Sequence, residues 1–194
     1  VTAGITANLA AGTVTSTDTV HIGNDTLHSV EAVRGTAFDD TYNAVGFGVS
    51  GAANVGSNGT FNEFTGAGGN DTVIGNGNTR LSFNNALTAV TVDLQTGVTP
   101  GTGTVSFWSN TFSGVNSVQA TMFNDILSGS SNNDTFFGLA GDDSINGRGG
   151  FDTASYNNIY YTTGGIIVDL AAGTVTGNVP GDLSIGNDTL RSIE

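Results

Sequence analysis

Four aspartates, Asp125, Asp134, Asp143 and Asp152, recur every nine residues in a stretch otherwise rich in glycine and asparagine. A carboxylate can serve as a turn cap, as an acid or base, or as an oxygen ligand for a hard cation, and its setting decides which. One isolated Asp caps turns in many folds by accepting backbone N–H groups. Four on one beat, in a chain whose formal net charge is −13, point instead to a row of equivalent cation sites.

The rest of the composition agrees. With 194 residues, 37% of them apolar, the chain can build a core. Thirty glycines and abundant Thr, Asn, Val and Phe leave little material for helices and favour short strands between turns. No window has the period of an amphipathic helix, so an all-β fold is expected. Four arginines and no lysine cannot form a phosphate-binding surface, which excludes nucleic acid as a partner and disfavours an anionic membrane surface. Absence of cysteine removes disulfides, thiolate catalysis and zinc–thiolate sites. No apolar run is long enough for a membrane span, and no conventional leader pattern is present.

Self-comparison shows repeats on a longer scale. "ANLAAGTVT" (Ala7–Thr15) returns as "VDLAAGTVT" (Val168–Thr176) and more loosely as "VDLQTGVTP" (Val92–Pro100). "IGNDTLHSVE" ending at Glu31 returns as "IGNDTLRSIE" ending at Glu194, and Asp40 and Asp125 occupy equivalent places 85 residues apart, as do Asp25 and Asn110. The organisation expected is a first long repeat over 1–86, a second over 87–161 and the opening of a third over 162–194, as in a tandem array. "GIIVDLAAGTV" alternates Ile166, Val168 and Leu170 against Ile167, Asp169 and Ala171, the pattern of a strand with one buried face.

Written in nines, residues 120–155 read "ATMFNDILS", "GSSNNDTFF", "GLAGDDSIN" and "GRGGFDTAS", with Asp sixth and Leu127, Phe136, Ile145 and Ala154 eighth. "GAGGNDTVI" with Asp71 and "GTAFDDTYN" with Asp40 fit the same frame. This pattern resembles the RTX (repeats-in-toxin, hemolysin-type) calcium-binding nonapeptide, G-G-x-G-x-D-x-U-x with U apolar. The resemblance implies a parallel β-roll, or β-solenoid, in which six residues turn and three form a strand. Two nonapeptides then make one coil, so Asp134 stacks on Asp152 and Asp125 on Asp143. It also implies several calcium ions, held by Asp125, Asp134, Asp143, Asp152, Asp71 and Asp40 together with turn carbonyls such as those of Gly138, Ala140, Gly147 and Gly149. Calcium takes six to eight oxygens, a number that turns of two successive coils can supply.

Some positions depart from the pattern. "ATMFNDILS" and "GSSNNDTFF" lack the second and fourth glycines, so their carbonyls are expected to be aimed less well. "SNGTFNEFT" and "GNGNTRLSF" place Asn62 and Arg80 where acids are expected, which argues against a metal on that edge. Asp25 and Asp188 have the D-x-U half of the motif without its turn and stand outside the expected ligand set.

No catalytic motif appears, and His21 and His28 read as surface residues, so no enzyme activity is expected. Phe136, Phe137 and Trp108 read as packing or surface residues. The function expected is a calcium-stabilised structural module of a secreted or cell-surface bacterial protein, of adhesin, surface-layer or RTX-exoprotein type. The resemblance implies type I secretion of the unfolded chain followed by folding outside. The alternatives are a filament or surface-layer subunit that self-associates end to end with calcium, and a polysaccharide- or ice-binding module suggested by the Thr-Val-Thr of Thr13–Thr15 and Thr174–Thr176.

Overall fold

The computed structural model describes residues 1–99, 109–157, 164–179 and 184–194; Trp108 lies outside them. Among the described residues there are eighteen short strands and no helix, so no helix is long and apolar enough to cross a membrane. Two compact units form, one from Val1–Ser82 with Gly97–Val115 and the other from Phe83–Thr96 with Asn116–Glu194.

In the first unit the strands are β1 (Ile5–Asn8), β2 (Thr13–Ser16), β3 (Asn24–Thr26), β4 (Ala32–Arg34), β5 (Thr41–Asn43), β6 (Asn62–Thr65), β7 (Thr72–Ile74), β8 (Thr79–Ser82) and β10 (Thr111–Ser113). One sheet runs β10-β7-β5-β1-β2-β3, parallel as far as β1 and antiparallel beyond it. Strands β4, β6 and β8 pair in parallel opposite it. Parallel pairing aligns inward-facing residues, so Ala7, Tyr42, Val73 and Phe112 form one column, and Val33, Phe64 and Leu81 another. The columns meet where the Tyr42 and Phe64 rings pack with centroids 5.1 Å apart. Tyr42 is fully buried, and its hydroxyl donates to Asn62 Oδ1 at 2.9 Å, which satisfies the polar end.

The second unit repeats this plan. Its strands are β9 (Thr91–Asp93), β11 (Ser117–Gln119), β12 (Ile126–Ser128), β13 (Thr135–Phe137), β14 (Ser144–Asn146), β15 (Thr153–Ala154), β16 (Ile166–Asp169), β17 (Thr174–Gly177) and β18 (Asn187–Arg191). Strands β9, β12, β14 and β18 are parallel, with Val92, Leu127, Ile145 and Leu190 in register. Strands β11, β13 and β15 are also parallel, stacking Val118, Phe136 and Ala154. Leu127 and Phe136 are fully buried and Ile145 nearly so. The expected all-β parallel β-roll is therefore present, with two nonapeptides in each coil.

Two expectations change. The roll carries antiparallel hairpins, β1/β2 and β16/β17, at the Ala-Ala-Gly turns. The one-face pattern is realised in β1 and the turn after it, where Ile5, Ala7 and Leu9 are buried, but all of β16 is exposed. Strand β1 lies between β2 and β5, whereas β16 pairs only with β17 among the described residues, so no parallel strand covers its apolar side. Secondly, Arg80 does not stack on Asn62. The register pairs Asn62 with Thr79 and Glu63 with Arg80, because the stretch between β6 and β8 is one residue shorter than the nonapeptide frame requires. Arg80 forms an ion pair with Glu63, and Thr79 Oγ1 donates to Asn62 Oδ1 at 3.0 Å.

Candidate metal centre

Each nonapeptide delivers its sixth residue at the junction of turn and strand, and parallel stacking sets equivalent junctions over one another. The aspartates there form ladders in which a carboxylate oxygen accepts the backbone N–H of the neighbouring rung. In the second unit Asp125 N–H donates to Asp143 Oδ1 at 2.8 Å, and Asp143 N–H to Asp188 Oδ1 at 2.9 Å. On another edge Asp134 N–H donates to Asp152 Oδ1 at 2.8 Å and Asp152 N–H to Glu194 Oε2 at 2.8 Å. In the first unit Ile5 N–H donates to Asp40 Oδ1 at 2.7 Å, Asp40 N–H to Asp71 Oδ1 at 3.0 Å, and Asp71 N–H to Asn110 Oδ1 at 2.8 Å. The stacking of Asp134 with Asp152 and of Asp125 with Asp143 is as the period requires.

These carboxylates are deeply buried, each of Asp40, Asp71, Asp125, Asp134, Asp143, Asp152 and Asp188 being at most 2% exposed. One ladder hydrogen bond satisfies one oxygen, and the other oxygen distinguishes the sites. Among the described residues, Asp71 Oδ2, Asp143 Oδ2 and Asp152 Oδ2 are buried with no hydrogen-bond partner. Burying an anionic acceptor unpaired is costly, so such an oxygen marks a place for a cation. Asp134 is bare at its other oxygen, Oδ1, while its Oδ2 accepts the Ser130 N–H at 2.6 Å.

The electrostatics follow from this burial. Desolvation, joined by the Asp40 and Asp39 charges, pushes the Asp71 carboxyl up to about 7. Desolvation with the charges of Asp188, Asp125 and Asp142 pushes Asp143 up to about 8. Desolvation raises Asp125 and Asp188 to about 6 and shifts Asp134 and Asp152 upward. A metal-free roll thus holds rows of carboxylates that resist ionisation, the condition a divalent cation relieves.

Glycine at the first position of the nonapeptide has a specific cause. A Cβ at Gly138 would overlap Asp143 Oδ2, and one at Gly147 would overlap Asp152 Oδ2. The fourth position is equally constrained where it holds glycine. Gly141 and Gly150 adopt φ of 107° and 121°, and a Cβ on either would strike the backbone of the coil beside it, at Phe123 and at Asn132. Gly149 has open space around it and is exposed, and Ala140 is buried in its turn.

Among the described residues, no three His, Cys, Asp or Glu side chains converge on one point. A cation on these edges would therefore need backbone carbonyls among its ligands. That donor set, one or two carboxylates plus carbonyls of glycine-rich turns, suits calcium and not zinc.

Residues 120–154 match the family model of the RTX calcium-binding nonapeptide repeat, in four copies. The chain carries RTX repeats. No curated protein matches it as a relative. The RTX segment coincides with the second unit's two carboxylate edges, and the bare oxygens of Asp143 and Asp152 fit the ion the repeat binds. Residues 120–154 accordingly form a calcium-binding β-roll segment. Of the expected ligands, Asp71, Asp143 and Asp152 each present a bare buried Oδ2 and Asp134 a bare Oδ1, whereas both oxygens of Asp40 and of Asp125 accept hydrogen bonds within the protein.

Several residues of these edges escaped sequence reasoning. Asp188, Asn110 and Glu194 are ladder rungs although they lack the turn half of the motif. Asp25 itself is exposed on β3. Tyr156 is a further participant, its hydroxyl donating to Asp188 Oδ2 at 2.7 Å. His21 pairs with Asp18 away from the ladders and His28 is exposed. Thr13 and Thr15 are exposed on β2, and Thr174 and Thr176 occupy β17.

Proposed function

We propose that this protein is a non-catalytic, calcium-stabilised structural module of a secreted or cell-surface protein, ordered by calcium after export. The observation that carries the reading is the set of buried carboxylate oxygens without a donor, at the repeated position of the turn. Calcium when bound supplies positive charge and accepts several oxygens at once. The chain's own residues supply the rest: ladder N–H groups fix one oxygen of each aspartate, and first-position glycines leave room beside the other. In low calcium the like charges and the single inward side chain per short strand favour an expanded chain, consistent with passage through a secretion channel.

Circular dichroism during a calcium titration, with magnesium as control, tests this. Strand signal should rise with calcium and stay low with magnesium, which holds its water and demands stricter octahedral geometry. A chelated sample as ordered and heat-resistant as the calcium-loaded one would refute the reading.

A second reading, association through sheet edges in a filament or surface layer, is favoured by one observation. Ile166, Val168 and Leu170 of the β16 region line an apolar groove with Tyr156 and Ile193. Sedimentation in calcium should then show assemblies that Val168→Asp disperses, whereas a monomer under all conditions would count against it.

A further inference from the structure

The nonapeptides are of two kinds, divided by the second residue of each turn. In "GTAFDD", "ATMFND" and "GSSNND" that residue is Thr36, Thr121 or Ser130. Its backbone N–H donates to Oδ2 of the turn's own aspartate, at 2.6 Å for Asp40, 2.8 Å for Asp125 and 2.6 Å for Asp134. Its hydroxyl donates to the same carboxylate at 2.9–3.0 Å. In "GAGGND", "GLAGDD" and "GRGGFD" the second residue is Ala67, Leu139 or Arg148, none of which carries a hydroxyl. The aspartates of these turns, Asp71, Asp143 and Asp152, are the ones whose Oδ2 is buried and bare.

The fourth position divides in the same way. Closed turns hold Phe38, Phe123 and Asn132, whereas open turns hold Gly69, Gly141 and Gly150 at positive φ. On every edge a closed turn is followed by an open one: Asp40 by Asp71, Asp125 by Asp143, Asp134 by Asp152. We infer that the Thr-closed turns of Asp40 and Asp125, both of whose carboxylate oxygens are engaged, do not take calcium through their aspartates, and that the open turns of Asp71, Asp143 and Asp152 do. The inference rests on the calcium-module reading above and narrows it. An N–H and a hydroxyl aimed at a carboxylate fill lone pairs that a cation would otherwise use and turn their positive ends toward the site. The hydroxyl and N–H together do for Asp40 and Asp125, both of whose oxygens are engaged, what calcium does for the bare oxygens. Closed turns then act as metal-independent templates on which each calcium-dependent turn stacks.

The test is equilibrium dialysis with radioactive calcium, with strand content measured on the same samples so that ions are counted per folded chain. Asp71→Asn, Asp143→Asn and Asp152→Asn should each remove one ion, and Asp40→Asn and Asp125→Asn none. Equal losses from both groups overturn the inference. Thr121→Ala keeps every carboxylate and backbone group, so it remains informative where an Asn variant fails to fold. Its count should equal the wild type's, and a fall by one ion would make the hydroxyl a calcium ligand and overturn the inference too. Wild-type protein that binds no calcium at all refutes the function proposed above, a result distinct from either of these.

Discussion

At Gly138 the space of one methyl group separates a usable carboxylate from a displaced one. Its φ is not in the left-handed region, so alanine meets no backbone strain there, and the three atoms nearest its Cβ all belong to Asp143. Gly138→Ala should push that carboxylate aside, lowering stability in calcium by about 1–3 kcal/mol and weakening calcium binding about tenfold or more. Gly149→Ala, in open space, should change stability by no more than about 0.5 kcal/mol. Thermal melts of both variants at fixed calcium decide it, and equal shifts would dismiss the steric argument. The aspartates themselves were legible in the sequence, because the coil imposes its period on them. The division between closed and open turns was harder to read. A Ser or Thr four residues before an Asp is visible, but whether its hydroxyl and N–H face the carboxylate depends on how the turn closes.

At the scale of strands, identical motifs meet different fates according to what lies beside them. Leu9 and Leu170 hold the same place in "NLAAGTVT" and "DLAAGTVT", yet Leu9 is fully buried and Leu170 is 54% exposed. Strand β5 covers the first hairpin, and no parallel strand among the described residues covers β16. Leu9→Ala should therefore cost about 2–5 kcal/mol, whereas Leu170→Ala should stay within about 0.5 kcal/mol. Urea unfolding in saturating calcium measures both, and comparable losses would mean that the β16 face is covered in solution. The short strands and the eighth-position core were readable from the nonapeptide frame. Pairing of β14 with β18 was not, since it joins segments separated by a long insertion. The Asn62–Arg80 frame failed for a related reason: period-two alternation in β6 and β8 keeps Phe64 and Leu81 inward, and this outweighs a fixed count of nine.

For the molecule as a whole, charge sets the conditions of order. Asp71 and Asp143 have folded-state pKa values of about 7 and 8, and Asp125 and Asp188 of about 6, all above the ordinary carboxylate value because burial disfavours the anion. A group raised in this way binds its proton more tightly in the folded chain than in the unfolded one. Its stabilisation is complete below pH 4 or so and is lost as pH rises through the folded value, at about 1.4 kcal/mol per pH unit for each proton retained. Asp93, held down to about 2 by a bidentate pair with Arg148, acts oppositely, its contribution lost only as the pH falls toward that value. Metal-free protein should therefore show its highest strand content and melting temperature near pH 4 and lose both progressively as the pH rises toward 8. Calcium, which takes the place of the protons, should restore them most at the upper end. Circular dichroism across that range in chelator and in calcium provides the check. Metal-free protein that orders better at pH 8 than at pH 5 would show that the carboxylate ladders do not govern the stability of the roll.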